Sequence, residues 1–290
     1  MSVFEALVLG LVQGITEFVP VSSSGHLVLL QRIFGIEEAS LVFGTAVHGG
    51  TLVAVFVVFW RDIGKILRRP FQPLTLHLII GTLPAVMVVL LFRPRIEEAF
   101  ATGSFLGFAF LITSGLLLVS DGLYRSRGSP GGFPEKVENP SPIRYQDEMN
   151  ILDSLIIGLL QAAAIFPGIS RSGATISGGL ARKLDRDLAA RFSFLLSIPA
   201  ILGALVLQGR DLLSFGQLSG GLLSDGAGYA GSIGFLPLAV GTISAGVVGF
   251  FSIRLVLIMV RERSLILFAL YTGILGVLIL VDQFGTQLYF

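Results

Sequence analysis

Long hydrophobic runs alternate with short polar clusters along this chain. Six of the runs have about the 20 apolar residues that a helix needs to cross the hydrocarbon core of a bilayer. They lie at about 41–60, 74–92, 104–123, 189–207, 233–252 and 264–282. The pattern predicts six transmembrane helices.

Two further apolar segments are shorter and are broken by proline, glycine and serine. In the first, residues 3–19 and about 26–35 read as two helices on either side of Pro20 and a serine cluster. Neither helix has the length of a span. The second segment, at about 150–183, has the same plan. Both are predicted to be re-entrant pairs of helices that dip into the membrane and return.

The two broken segments are copies of one motif. Residues 10–27 read GLVQGITEFVPVSSSGHL and residues 158–175 read GLLQAAAIFPGISRSGAT, and they align without a gap at an offset of 148 residues. The identical pairs include Gly10 and Gly158, Gln13 and Gln161, Phe18 and Phe166, Ser22 and Ser170, Ser24 and Ser172, and Gly25 and Gly173. Interrupted hydrophobic segments at corresponding positions of two halves are the strongest sequence indication of a binding site in an inverted-repeat membrane protein. The two breaks are therefore the predicted site.

The fold class that follows is an all-α polytopic membrane protein with a single membrane domain over residues 1–290. Repeat one covers residues 1–123, a polar linker covers 124–149, and repeat two covers 150–290. Each repeat consists of one re-entrant helix–loop–helix and three transmembrane helices. Because three is an odd number of crossings, the second repeat is predicted to be inverted relative to the first.

The distribution of charge predicts the orientation. Residues 61–69 hold four basic residues and one acidic residue, and residues 254–263 hold three and one. Residues 208–232 hold one basic and two acidic residues. By the positive-inside rule, the first two loops and the linker face the cytoplasm, and the third loop faces outside. The first re-entrant pair then enters from outside and the second from inside, so their tips can meet within the membrane.

The amino-acid composition is that of a membrane protein, and it argues against nucleic-acid binding and excludes cysteine chemistry. Hydrophobic residues make up 53% of the chain and charged residues 13%, whereas soluble domains carry about 25% charged residues. A formal net charge of +1 gives no reason to expect a nucleic-acid partner. The absence of cysteine excludes disulfides, thiolate catalysis and cysteine metal sites.

Ionisable residues at the two breaks are the candidates for chemistry, because charges inside a membrane are costly unless they are paired. They are Glu17, His26 and Arg171. A serine-rich helix start offers backbone N–H groups to an anion, and a guanidinium adds a planar fork suited to phosphate. The residues predicted to bind a diphosphate beside Arg171 are Ser22, Ser24, Gly25, Ser170, Ser172, Gly173 and Thr175.

Neighbouring residues of the first motif suggest the remaining roles. Ser23 and His26 lie three residues apart, which on one helical face allows a nucleophile and a base to cooperate. Glu17 ends the preceding helix with Gln13 one turn earlier, and both can offer oxygens to a hard cation such as Mg²⁺ or Ca²⁺. By contrast, His48 and His77 are expected near the ends of spans as solvated or interfacial residues.

Two stretches resemble the signatures of the undecaprenyl-pyrophosphate phosphatase family, the bacitracin-resistance type of integral membrane phosphatase. They are QGITEFVPVSSSGH at 13–26 and PGISRSGATISGG at 167–179, and the resemblance extends over nearly the whole chain. The resemblance implies hydrolysis of undecaprenyl diphosphate to undecaprenyl phosphate, which recycles the lipid carrier for peptidoglycan synthesis. It implies a multi-pass protein of the bacterial plasma membrane whose active site opens to the outer face. The family's [E/Q]xxxE element falls on Gln13 and Glu17, its essential serine and histidine on Ser23 and His26, and its phosphate-binding arginine on Arg171.

Several alternatives stay open at this point. The nucleophile is Ser23, His26 or a water molecule. A transporter or lipid flippase is the competing functional class, because inverted repeats with broken helices are also the plan of many secondary transporters. A homodimer is compatible with the glycine-rich helix surfaces, which do not establish one.

Overall fold

The computed structural model describes residues 1–36, 41–125, 143–144, 146–218 and 233–290, except for the side chains of residues 41, 101, 146 and 209–218. Within these ranges the chain is helical, and a single isolated β-bridge joins Arg144 to Leu184. The α-helices are α1 (Val3–Thr16), α2 (Ser23–Ile33), α3 (Leu41–Val58), α4 (Trp60–Arg68), α5 (Pro73–Thr102), α6 (Leu106–Arg125), α7 (Ile151–Ala163), α8 (Arg171–Ala181), α9 (Arg186–Leu218), α10 (Phe235–Glu262) and α11 (Ile266–Val281). A 3₁₀ turn at Gln146–Glu148 and a π-helical turn at Asp282–Thr286 complete the described elements.

The long helices confirm the predicted class of a multi-pass helical membrane protein. Helices α5, α6, α9 and α10 are each long and apolar enough to cross a membrane, and so is α11 when it is taken together with the π-helical turn that follows it. Helices α3 and α4 together give a sixth candidate, bent by 77° at their junction. Helices α1 and α7 have 14 and 13 residues, which is short of a full span and matches the lengths predicted for the re-entrant segments.

Several helices extend beyond the bounds that hydropathy predicted. Helix α5 continues through two arginines and two glutamates to Thr102 instead of ending near residue 92. Arg93 and Glu97 form an ion pair of 2.7 Å one turn apart, which favours helix continuation. Likewise, residues 61–69 were predicted as a loop, but most of them form α4. The hydropathy signal therefore stops at the first charged residues, whereas the helix continues through them.

The two halves of the chain are interleaved. Helix α1 packs against α10, and its counterpart α7 packs against α5, so each short helix contacts a long helix of the other half. Helices α6 and α11 pack against each other, as do α3 and α9. This exchange is what two repeats related by a two-fold axis would produce. The repeat boundaries and the inversion stay predictions, and most of the predicted linker at 124–149 lies outside the described residues.

Backbones approach closely where α7 crosses α5. A β-carbon added to Gly158 would lie 2.6 Å from the carbonyl oxygen of Gly81, which is a distance that real β-carbons do not adopt. Glycine at this crossing therefore sets how closely the two helices pack. Gly158 is the repeat counterpart of Gly10, whose added β-carbon would clash with the carbonyl oxygen of Gly241 on α10.

We expect Gly158→Val to destabilise the protein, because the side chain would force α7 away from α5. Overpacking of this kind costs about 1–3 kcal/mol or more. The matched control is Gly115→Val on α6, where an added β-carbon has no neighbour within 4 Å. Unfolding in detergent, followed by circular dichroism during heating, measures both variants. Equal midpoints for the two variants would show that the α5–α7 crossing tolerates a side chain.

Candidate active site

The first tip is the turn between α1 and α2. Glu17 is the C-cap of α1, and Ser22 is the N-cap of α2. The Ser22 hydroxyl accepts a hydrogen bond from the Gly25 N–H at 3.3 Å. Ser22 has a φ of 73°, in a region that residues other than glycine seldom adopt and that is often strained at functional sites. This conformation places Ser23, the first residue of α2, beside Glu17.

The second tip is the turn between α7 and α8. It passes through Pro167 and Gly168, whose φ is 93°. Ser170 is the N-cap of α8, and its hydroxyl accepts a hydrogen bond from the Gly173 N–H at 3.0 Å. Arg171 is therefore the first helical residue, in the position that corresponds to Ser23 of the other tip.

The structure brings the two tips into contact. Arg171 Nη2 donates a hydrogen bond of 2.7 Å to Glu17 Oε1. Ser172 Oγ donates to the carbonyl oxygen of Val19 at 3.1 Å, and the Gly168 N–H donates to Ser24 Oγ at 3.4 Å. The two breaks, far apart in sequence, thus form one site.

Glu17 is the centre of this site. Its Oε1 accepts from Arg171, while its Oε2 accepts from Ser23 Oγ at 2.6 Å and from Gln13 Nε2 at 3.0 Å. The Glu17 side chain is 6% exposed and that of Arg171 is 16% exposed. The Arg171 guanidinium therefore neutralises a carboxylate that is almost fully removed from solvent. Gln13 Oε1 is buried and has no hydrogen-bond partner.

Exposure separates the residues that a ligand can reach from those that support them. Ser23, Ser24 and Arg171 are partly exposed, whereas Glu17 and Gln13 are buried. A ligand would therefore meet a hydroxyl and a guanidinium that a buried carboxylate holds together. Such an arrangement is chemically able to supply a nucleophile, a base and a cationic anchor to a phosphate ligand.

Most of the residues predicted to bind a diphosphate are buried. Of Ser22, Ser24, Gly25, Ser170, Ser172, Gly173 and Thr175, only Ser24 is partly exposed. The Thr175 hydroxyl donates to the Arg171 carbonyl at 2.8 Å and contacts Ser193 Oγ at 2.6 Å. Ser170 Oγ and Ser172 Oγ lie 3.2 Å apart. In this structure the hydroxyls of the second tip hold the start of α8 in place, and their direct contact with phosphate stays a prediction.

His26 has partners other than Ser23. Its Nδ1 lies 2.6 Å from the Ser22 carbonyl oxygen and must carry the hydrogen, because a carbonyl only accepts. Its Nε2 lies 2.7 Å from the hydroxyl of Tyr271 on α11, and the two rings stack with their centroids 5.7 Å apart. The structure thus does not form the predicted Ser23–His26 pair, because Ser23 is bonded to Glu17 instead. The sequence analysis did not identify Tyr271, because a tyrosine within an apolar run carries no motif that marks it.

The other two histidines both contact residues of neighbouring helices, His48 while partly exposed and His77 while buried. His48 lies in the middle of α3, with Nε2 3.8 Å from Glu17 Oε2 and Nδ1 2.7 Å from the Gly44 carbonyl oxygen. His77 is buried and its Nδ1 lies 2.7 Å from Ser154 Oγ on α7. The expected position near a span end is wrong for His48, which lies near the middle of α3, whereas His77 lies near the start of α5 and is buried against α7. His48 is therefore a member of the site that the sequence did not reveal.

Comparisons with known proteins agree with the motifs. A family model described as bacitracin resistance protein BacA matches residues 6–278. An undecaprenyl-diphosphatase of Carboxydothermus hydrogenoformans is 44% identical over 283 residues, covering 98% of both chains. Undecaprenyl-diphosphatase 4 of Bacillus thuringiensis subsp. konkukian is 42% identical over 284 residues, and undecaprenyl-diphosphatase 3 of Bacillus cereus is 41% identical over 284 residues, each again covering 98% of both chains. These matches confirm the resemblance that the two motifs indicated, and the chain belongs to the bacitracin resistance protein BacA family.

Proposed function

We propose that this protein hydrolyses undecaprenyl diphosphate to undecaprenyl phosphate and inorganic phosphate in the bacterial plasma membrane. The observation that carries the proposal is the contact of Ser23, Glu17 and Arg171 across two tips, in a chain whose relatives are named undecaprenyl-diphosphatases. The reaction returns the lipid carrier to peptidoglycan synthesis. The family model that matches the chain is described as a bacitracin resistance protein, and we propose that the same activity confers that resistance.

Ser23 is the nucleophile in the mechanism that we propose. Its oxygen attacks the terminal phosphorus, and its proton passes to Glu17 Oε2, which already accepts the Ser23 hydrogen bond at 2.6 Å. The bond between the terminal phosphorus and the bridging oxygen breaks, and undecaprenyl phosphate leaves with the bond electrons. A phosphate monoester has its second pKa near about 6, so this leaving group needs no proton at neutral pH. Water then attacks the phosphorus of the phosphoserine, the bond from phosphorus to Ser23 Oγ breaks, the proton held by Glu17 returns to Ser23 Oγ, and inorganic phosphate leaves.

Arg171 links substrate binding to the basicity of Glu17. In the free protein its guanidinium bonds Glu17 Oε1. A diphosphate carries more negative charge than one carboxylate and offers a matching set of oxygens to the planar fork. As the guanidinium turns toward the phosphate, Glu17 loses a stabilising hydrogen bond and becomes a better proton acceptor. The partly exposed Arg171 side chain is placed to make this exchange.

His26 and Tyr271 position the first tip. Tyr271→Phe removes the hydroxyl that bonds His26 Nε2 and leaves that nitrogen without its partner. The loss of one such bond costs about 1 kcal/mol, so we expect kcat to fall about fivefold with little change in KM. Tyr289→Phe, near the C-terminus, is the matched control. Steady-state phosphate release measures both, and a Tyr271→Phe variant with wild-type kcat would show that this bond does not position the site.

A divalent cation, Mg²⁺ or Ca²⁺, fits the site only if the substrate supplies part of its coordination. Within the described residues no three His, Asp or Glu side chains form a group that could hold a metal ion. The site offers the Glu17 carboxylate and the unpartnered Gln13 Oε1, and Mg²⁺ is commonly held by one or two carboxylates together with substrate phosphates. We propose Glu17 and Gln13 as its protein ligands. When bound, the cation supplies positive charge to offset the charge that develops on the bridging oxygen.

The test of the proposed function is phosphate release by the purified full-length protein in detergent. Undecaprenyl diphosphate is the substrate, and undecaprenyl phosphate is the control lipid. We expect one phosphate per diphosphate consumed, no release from the monophosphate, and loss of activity in EDTA that added Mg²⁺ or Ca²⁺ restores. A folded protein that releases no phosphate would contradict the proposal, and lipid transport in vesicles would then be measured.

The orientation is a separate proposal. We propose that residues 61–69 and the linker at 124–149 face the cytoplasm and that residues 208–232 face outside. Because the chain has no cysteine, single cysteines report topology without background. In intact cells, Ser219→Cys should react with an impermeant thiol reagent, and Lys65→Cys should react only after lysis. The opposite labelling pattern would reverse the orientation.

A further inference from the structure

Helix α4 leaves the end of α3 at an angle of 77°. Helix α3 has 18 residues, and a helix of that length covers about 27 Å, which is close to the hydrocarbon thickness of a bilayer. Helix α4 and its C-cap residue Arg69 hold five charged residues, which are costly inside the hydrocarbon core. With α3 along the membrane normal, α4 therefore lies nearly parallel to the membrane surface.

Contacts on one side of α4 fix its rotation about its own axis. Ile63 and Ile66 pack against the hydrophobic core. Asp62, the only acidic residue of the helix, accepts a hydrogen bond of 2.8 Å at its Oδ2 from Arg191 Nη2 on α9. The acidic charge of α4 is thus directed toward the protein, and the remaining sides of the helix face away from it.

One of these outer sides is apolar. Trp60 and Leu67 lie about two turns apart on the same side of the helix, and their exposed fractions are 64% and 75%. Phe71, two residues after the C-cap, is 100% exposed. Exposed large apolar side chains on a short basic helix are typical of a helix that lies in the membrane interface, where tryptophan is enriched.

The other outer side is basic. Arg61, Lys65 and Arg68 follow one another at spacings of four and three residues, which places them on one side of the helix, and all three are exposed. The C-cap residue Arg69 is exposed as well. Lys65 Nζ lies 4.0 Å from Asp62 Oδ1, but across the residues that the structure describes, Arg61, Arg68 and Arg69 form no ion pair. The basic side therefore presents three positive charges that the described parts of the protein do not neutralise.

We propose that α4 is a docking surface for the headgroups of anionic phospholipids. The exposed apolar residues enter the boundary between headgroups and acyl chains, and Arg61, Arg68 and Arg69 contact lipid phosphates. The two outer sides of the helix meet at Trp60, whose ring centre lies 5.4 Å from the guanidinium carbon of Arg61. A zwitterionic headgroup carries its own positive charge beside the phosphate, so the basic side favours lipids with a net negative charge. The inference concerns lipid outside the active site and does not depend on the proposed hydrolysis.

The experiment uses the fluorescence of Trp60, which is the only tryptophan of the chain and reports on α4 in the unmodified protein. The full-length protein is reconstituted in bilayers of phosphatidylglycerol and phosphatidylcholine in equal amounts. A small fraction of either lipid carries bromine on the upper part of its acyl chains, where it quenches tryptophan. We expect quenching that corresponds to a preference for phosphatidylglycerol of at least about fivefold, the factor that one basic contact with an anionic lipid supplies.

Two results of this comparison would overturn the proposal. Equal quenching by the two brominated lipids would mean that α4 does not select anionic headgroups. No quenching by either lipid would mean that the apolar side of α4 lies in water, where a soluble protein could cover it. The comparison of lipids needs no substitution and stands even if a variant fails to fold.

Two double variants locate the charges responsible. Arg68→Gln combined with Arg69→Gln should lower the preference at least about threefold, because it removes two of the three arginines and leaves the inward contacts of α4 in place. Arg93→Gln combined with Arg95→Gln is the matched control on α5, where each arginine pairs with a glutamate, and it should leave the preference unchanged. A preference that persists in the first variant, or that falls equally in both, would overturn the assignment of the lipid contact to α4.

Discussion

Ser23→Ala is expected to lower kcat for phosphate release by at least about 10³-fold, because loss of a nucleophile leaves only binding and electrostatic stabilisation. The substitution removes the hydroxyl that lies 2.6 Å from Glu17 Oε2 and leaves the ion pair of Glu17 with Arg171 in place. Binding of the diphosphate should therefore survive. Phosphate release and the affinity for a non-hydrolysable diphosphate analogue, measured on the same preparation, separate the two effects.

The neighbouring Ser24→Ala is the matched control for that loss. Ser24 Oγ accepts a hydrogen bond from the Gly168 N–H and has no contact with Glu17 among its described bonds. We expect it to raise KM more than it lowers kcat. A Ser23→Ala variant with activity close to that of Ser24→Ala would exclude Ser23 as the nucleophile.

The stereochemistry at phosphorus distinguishes Ser23 from the other nucleophiles. Attack by Ser23 followed by water gives two inversions, so a terminal thiophosphate made chiral with oxygen isotopes is released as inorganic thiophosphate with its configuration retained. Direct attack by water gives a single inversion. A phosphohistidine at His26 would also give retention, but that adduct is labile in acid whereas phosphoserine is stable. Retention with an acid-stable adduct is the expected result.

The sequence predicted the parts of the site that lie within one motif. The repeated break located both tips, and the cost of charge in a membrane singled out Glu17 and Arg171, which the structure pairs at 2.7 Å. Hydropathy located the spans because each membrane-crossing helix has to place apolar residues across the hydrocarbon core of the bilayer. It could not locate their ends, since the charged ends of α5 and α10 continue the same helix.

The sequence could not predict the side-chain contacts that depend on how the helices pack against one another. His48 reaches Glu17 because α3 packs beside α1. Tyr271 reaches His26 because α11 packs against α6, whose Phe110 ring contacts the His26 ring. Neither residue has a motif that marks it. The spacing of Ser23 and His26 indicated a catalytic pair, but helical spacing fixes only that two residues share a face. The conformation of the turn at Ser22 places Ser23 against Glu17 and leaves His26 Nδ1 bonded to the Ser22 carbonyl oxygen.

Removing Arg171 is expected to destabilise the protein and to abolish activity, and the two effects can be separated. Arg171→Met leaves the Glu17 carboxylate buried without its counter-charge, which costs about 3–5 kcal/mol. Glu17→Gln combined with Arg171→Met removes both charges, so most of that stability should return. Activity should not return, because the double variant lacks both the phosphate anchor and the proton acceptor. Arg171→Lys keeps the charge but loses the planar fork, so we expect near wild-type stability with strongly reduced turnover.

Unfolding by sodium dodecyl sulfate in mixed micelles, together with phosphate release, measures the four members of this cycle. A coupling energy of several kcal/mol in stability, with no recovery of turnover in the double variant, is the expected result. Additive losses of stability would mean that Glu17 and Arg171 do not depend on each other in the folded protein. Because no other cation bonds Glu17 Oε1 among the described residues, the pair itself is the source of the coupling. In the proposed mechanism, the diphosphate has to open this same contact before Glu17 accepts the proton of Ser23.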